Sequence, residues 1–550
     1  MIGVCCKKNE RDIIREFFEL FKTPWRLYKK GQSYGVVLVT AEEIPEVDAN
    51  LLVIFGSDAK REDVEKEITS GLRLRDVFLN YEGMQLPIYG NVLTFNEVGT
   101  PFLYVTSKSD IAGLKLDTQT SKVLRLGYDI FKEISLLLSV GQPGENAHIP
   151  TLEIHISMLR SWIVNAGVPL FEIPPVPKNY DGFVCLTHDV DFVRIADHRC
   201  DHTLFGFLYR ATIGSFLNFL RGKYSIRKCL TNLRAVFSLP FVYIGLAKDF
   251  WLQFESYIGI EKGLKSTYFF IPFKGQAGNK VSVHKVKRRA ARYGIRDVQN
   301  WAKLLLEKGC EIGVHGIDGW NDCEKGRLEL NEITKAIGTN EAGNRTHWLC
   351  FDSNSAKMLE DAGYSYDSTF GYNETVGFRA GTAQLFCPSG SKRILEVPLH
   401  IQDAALFNSS YLNMTDEEAS QSCKEIINQV LTYGGVLTIL WHLRSIAPER
   451  LWGEFYIRLL EQLKRHHVWF ATAGEVAKWF QLRRSVSFTD ESFSDGVLSL
   501  SLKVPEEPPY PEFALRLYKP ISQKSAVSGN SEEHVDIPWS GERSITVSLE

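Results

Sequence analysis

The segment GFVCLTHDVDF, residues 182–192, sets one histidine and two aspartates at the end of an apolar run. Phe183, Val184, Cys185 and Leu186 read as a buried strand, and His188, Asp189 and Asp191 follow at once. Ionisable groups this close to a buried strand are costly unless something pairs with them. Two further histidines close apolar strand-like runs: His315 ends EIGVH, and His442 follows VLTILW. Imidazoles and carboxylates gathered at strand ends suit a hard or borderline cation, zinc above all, held by three protein ligands with one position open. Such a cation makes a nearby water acidic and polarises a carbonyl. A carboxylate outside the ligand set can then take the water's proton.

The elements that would position these groups alternate. From about residue 181, short apolar strands (183–187, 266–271, 311–315, 347–351, 393–399, 436–441 and 468–472) are separated by helical stretches at 295–309, 353–363 and 415–435. The last opens with Thr415 and Glu418 in capping-box spacing. Alternating strands and helices predict an α/β fold with a parallel sheet or barrel, whose ligands gather at the C-terminal strand ends.

In their order along the chain these motifs resemble the polysaccharide deacetylases, carbohydrate esterase family four. The resemblance covers residues 181–480, a little over half the chain. Thr187-His188-Asp189-Val190-Asp191 is similar to a variant of the family's T-F-D-D-G motif. The resemblance implies Asp189 as catalytic base and Asp191 as metal ligand. His315-Gly316-Ile317-Asp318-Gly319 stands where the family has H-[S/T]-x-x-H, so Gly319 replaces the second histidine. His347, in an R-x-H element with Arg345, is the preferred third ligand, and Asp318 is the alternative. Arg379, in VGFRAGT, matches the arginine of the R-x-P-[F/Y] motif and is expected to orient Asp189. Leu440-Trp441-His442 matches the L-x-H motif, which makes His442 the general acid for the leaving amine. His188 reads as packing, and His400 and Asp403 as groove lining.

The implied fold is a distorted (β/α) barrel over residues 151–484, with an N-terminal α/β module at 1–150 and a small β-rich tail at 485–550. In the first module, residues 10–22 and 120–140 read as helices and 34–40 and 51–55 as strands. Within the tail, 519–536 reads as flexible. The implied activity is metal-dependent removal of acetyl groups, N-acetyl first, from a sugar or polysaccharide, with zinc as cofactor and a role in polysaccharide biosynthesis. The rivals are a metal-independent hydrolase of another C–N bond and a degenerate glycan-binding scaffold.

A net charge of −3 over 550 residues gives no electrostatic reason to expect nucleic acid as a partner. Ten scattered cysteines without a CxxC pair read as reduced thiols, and no signal peptide or spanning helix is expected, which together suggest a cytoplasmic protein. Residues 202–248 carry seven basic and no acidic side chains among many apolar ones. They read either as a helical insertion packed over the barrel or as a peripheral contact with the inner membrane face, where a lipid-linked sugar would be within reach.

Overall fold

The computed structural model describes residues 1–96, 98–107, 110–116, 121–278, 289–494, 497–507, 509–520, 534–537, 539 and 541–548. The chain divides into two compact units. One comprises Met1–Asn179, Ala380–Ser389 and Lys478–Glu550, and the other Tyr180–Arg379 and Gly390–Ala477.

The second unit is built on a curled sheet of parallel strands. Its order is Leu395–Glu396, Tyr366–Asp367, Asn344–Thr346, Glu311–Gly316, Ser266–Phe270, Gly182–Val190, Val436–Leu440 and Ile401–Gln402, with Val468–Phe470 also pairing Gly182–Val190. The Gly182–Val190 strand is buried along its whole length, as a central parallel strand must be when both faces are covered. Among the described residues, the two end strands do not pair with each other, so the expected barrel is met as a curled, unclosed sheet.

Several predicted elements form where the pattern put them. The Asp416–Tyr433 helix is capped by Thr415, whose side chain accepts from the Glu418 amide while Glu418 reaches back. The Ser355–Ala362 helix ends at Gly363, whose φ of 99° suits a residue without a Cβ. One strand is placed wrongly by the pattern: 347–351 is not extended. The strand is Asn344–Thr346, and a 3-10 turn, His347–Leu349, follows it. The insertion is helical, as expected, over His202–Tyr209, Ser215–Leu220 and Ile226–Tyr243, with a π-turn at Arg210–Gly214.

The first unit holds a nine-stranded mixed sheet, including Ser33–Val39 and Asp48–Phe55 paired in parallel. Residues 120–140 are not one helix. They form the strand Lys122–Leu126 and then the helix Ile130–Leu137, because Gly127 and the N-cap Asp129 interrupt the apolar pattern. The tail is not a separate appendage. Its strand Leu515–Tyr518 pairs antiparallel with Leu170–Glu172, so 151–179 and 478–550 share one unit with the N-terminal sheet. The expected boundaries at 150 and 484 therefore shift to 179 and 477. The stretch expected to be flexible lies, over 521–533, outside the described residues. Among the described residues, no helix is long and apolar enough to cross a membrane.

Candidate metal centre and active site

Sheet register brings the chemistry to one edge. His315 lies opposite Arg345 in the neighbouring strand, and Thr187 lies opposite Leu440. Asp189 and Asp191, His315, Arg345 and His347, and His442 therefore all emerge at the C-terminal ends of adjacent strands.

One ligand atom each from Asp191, His315 and His347 lies within 4.8 Å of the others. Asp191 Oδ1 is 3.1 Å from His315 Nε2 and 3.0 Å from His347 Nδ1, and the two ring nitrogens are 2.9 Å apart. His315 Nδ1 lies 2.9 Å from the Arg345 carbonyl, which fixes the ring with Nε2 facing Asp191. Burial pulls the His347 pKa below its ordinary value and so favours the neutral ring. Burial works to raise the Asp191 pKa, but His347 and His315 outweigh it and hold the carboxyl well below the usual range. Two imidazoles and an ionised carboxylate converging on one point form a donor set that fits zinc or a similar divalent ion.

His347 reaches this point because the backbone turns sharply behind it. Trp348 and Leu349 both have positive φ, 66° and 50°, a left-handed pair that non-glycine residues rarely adopt. Strain of this kind is commonly kept where function needs it. Asp318 is engaged elsewhere, its Oδ2 accepting from Lys325 Nζ at 2.9 Å. The motif's second histidine would be crowded at Gly319. A Cβ there would sit 3.0 Å from Gly326 Cα and 3.4 Å from Glu329 Oε2.

Asp189 lies beside this triad, with Oδ2 3.9 Å from His315 Nε2. Its orienting partner is Arg345 and not Arg379. The Arg345 guanidinium, fully buried, donates to Asp189 Oδ1 at 3.2 Å, to Thr187 Oγ1 at 2.6 Å and to the carbonyl and hydroxyl of Ser368. Arg379 instead donates to the Gly371 carbonyl at 2.9 Å and lies over the Phe370 ring. The R-x-H element contained the right arginine, but nothing in sequence spacing showed that it crosses two strands to reach Asp189.

On the other side stands His442, its Nε2 3.6 Å from Asp191 Oδ2. Asp403, fully buried, accepts from His442 Nδ1 at 2.7 Å and from the His442 amide at 2.7 Å. Asp403 is thus the orienter of His442 and not a groove-lining residue. Burial opposes protonation of His442, but Asp403, Asp191 and Asp189 push its pKa up to about 9. The Tyr257 hydroxyl donates to the His442 carbonyl, and His188 Nδ1 lies 2.7 Å from the Trp441 carbonyl. His188 is packed between Tyr257 and Tyr268, the supporting role expected of it. His400 is buried, its backbone amide donating to the Thr438 carbonyl.

These groups open on a cavity of about 160 Å³, also lined by Trp348, Asn373, Gln402, Tyr411 and Arg450. It is polar, and its size suits one small group of a larger substrate held at the mouth.

No family model matches the sequence, and no curated protein does. Solved structures do match, and many of them are polysaccharide or carbohydrate deacetylases. The carbohydrate deacetylase Agd3 is 8% identical, with all of this chain and 98% of that one covered and a TM-score of 0.40. A Mycobacterium smegmatis protein assigned as a polysaccharide deacetylase is 16% identical over 56% of this chain and 92% of that one, with a TM-score of 0.32. The allantoinase Puue is 14% identical with the same coverages and a TM-score of 0.34. At that level of likeness, the residues of the site and not the relatives have to carry the functional reading.

Proposed function

We propose that this chain is a metal-dependent hydrolase that removes acetyl groups, N-acetyl first, from a sugar or polysaccharide during polysaccharide biosynthesis. The observation that carries this reading is the Asp191/His315/His347 convergence flanked by a paired base and a paired acid. A divalent ion held by that triad, zinc by its donor set, would supply Lewis acidity toward a carbonyl oxygen.

The chain's own groups do the rest. Asp189, paired with and aimed by Arg345, takes a proton from water as the oxygen adds to the acetamide carbon. His442, protonated at neutral pH, gives its Nε2 proton to the sugar nitrogen as the C–N bond breaks. Acetate and a free amine are the products. Asp403 holds the His442 ring so that Nε2 and not Nδ1 faces the cavity.

Elemental analysis of purified wild type and His347→Ala, alongside acetate release from an N-acetylated oligosaccharide, tests this directly. The expected result is about one zinc per chain in the wild type, lost in the variant together with acetate release. A wild type that takes up no metal when zinc is supplied would refute the mechanism. Turnover without metal would favour a metal-independent C–N hydrolase. Metal and glycan bound with no turnover would favour a degenerate binding module.

A further inference from the structure

We infer that the helical insertion at 202–248 is a docking surface for an anionic lipid bilayer. One face of the insertion is anchored: Phe207, Ala211, Ala235, Leu239 and Val242 are buried in a cluster with Trp251. The opposite face is also apolar and, among the described residues, is left exposed. Phe205, Phe216, Leu220, Leu230, Phe237 and Phe241 are each more than half exposed. More than half of the large apolar side chains that are exposed among the described residues fall between Phe205 and Leu246. On the Ile226–Tyr243 helix, Ala235, Leu239 and Val242 point in while Ile226, Leu230, Leu233, Phe237 and Phe241 point out. A helix apolar on both faces needs a second apolar partner.

Charge selects the partner. Between His202 and Lys248 there is no acidic residue, and Arg221, Lys223, Arg227, Arg234 and Lys248 are exposed. A second copy of the chain would set these cations against their own kind, whereas an anionic lipid surface complements them. Aromatic and aliphatic side chains fringed by lysine and arginine are the composition of a segment that lies in the headgroup boundary. No helix among the described residues is long and apolar enough to span, so the contact is peripheral.

The insertion also abuts the rim of the cavity. Lys223 Nζ donates to the Asn413 carbonyl at 3.3 Å, and the Tyr224 hydroxyl lies 3.3 Å from the Glu449 carbonyl. The chain segments it touches are those of Asn408, Tyr411 and Arg450, which line the cavity. Docking would hold the mouth of the cavity at the lipid surface. Resting on the deacetylase reading, this makes the substrate an acetylated glycan carried on a membrane lipid.

The test is co-sedimentation of the full chain with phosphatidylcholine vesicles, with and without phosphatidylserine, at low and high salt. We expect binding to the phosphatidylserine vesicles that weakens with salt. Each charge removed should cost about fivefold, so R221E/R227E/R234E should bind at least about a hundredfold more weakly. F237S/F241S should lose binding while melting at the wild-type temperature, since both side chains are exposed. Wild type left in the supernatant with both vesicles would overturn the inference, as would variants that bind like wild type. A concentration-dependent dimer abolished by F237S/F241S, without vesicle binding, would assign the face to a second copy instead. Acetate release from a soluble oligosaccharide separates the two readings. Docking without turnover would fault the deacetylase assignment alone, and turnover without docking would fault the membrane surface alone.

Discussion

Replacing Asp403 with asparagine should lower the pH above which His442 stops working as an acid. The His442 pKa, about 9, stands above the ordinary 6.5 by an amount worth about 3 kcal/mol in favour of the protonated ring. Burial acts against protonation, so the carboxylates supply more than that difference. Asp403 is the first of them, through its charge and its 2.7 Å contact with Nδ1. Asparagine keeps the shape but removes the charge, so the His442 pKa should fall by at least one unit. A raised histidine pKa means the acid form persists until pH passes the folded value. Wild-type acetate release should therefore hold to higher pH than the variant's, whose alkaline limb should fall earlier. At pH 8 the variant should be slower by about twofold for a one-unit fall and about tenfold for a two-unit fall, with most of the loss recovered at pH 6. The assay is a pH profile of kcat for both proteins with metal content measured in parallel. A variant slowed equally at every pH, its alkaline limb unmoved, would refute the assignment of His442 as the acid poised by Asp403.

Arg345→Met should abolish turnover and destabilise the second unit by about 3–5 kcal/mol, because it leaves Asp189 buried without its cation. Arg379→Met should spare turnover by comparison, since its guanidinium donates to the Gly371 carbonyl and lies over the Phe370 and Phe351 rings. Acetate release and denaturant melts on both variants decide between the two arginines. Gly319→Ala should cost about 1–3 kcal/mol, because the new Cβ meets the Gly326 backbone, which cannot yield as a flexible side chain would. In a thermal melt this should appear as a drop of about 2–5 °C with metal binding retained. Glu153 is fully buried against Thr382 and Gln384, and burial raises its pKa to about 7. The folded state therefore keeps a proton that the unfolded chain releases above 4.5, and stability should fall as pH rises from about 4.5 to 7, by about 3 kcal/mol. Glu153→Gln should remove that contribution, while Glu329, also raised to about 7, should keep a comparable fall of the same sign. Melts at a series of pH values would show a parallel, unflattened slope if this account of Glu153 were wrong.

Local chemistry was legible in the sequence. An apolar run followed by His188, Asp189 and Asp191 can only be a buried strand that delivers polar groups to its end. The structure sets one ligand atom each of Asp191, His315 and His347 within 4.8 Å of the others. Thr415 and Glu418 marked a helix start for the same reason: a cap is satisfied within four residues. What only the tertiary structure decided lies across strands. Arg345 reaches Asp189 because Glu311–Gly316 and Ser266–Phe270 stand between their two strands and the sheet curls. Asp403 meets His442 because Ile401–Gln402 pairs with Val436–Leu440, two segments the sequence keeps apart. His347 turns inward because the chain takes two left-handed residues just after a strand, where side-chain types alone predicted that extension would continue. The tail joins the first unit through hydrogen bonds between residues 170–172 and 516–518. Apolar patterning and capping are short-range and can be read in one dimension. Strand order and register are set by which faces bury together, and that choice is made only when the whole chain packs.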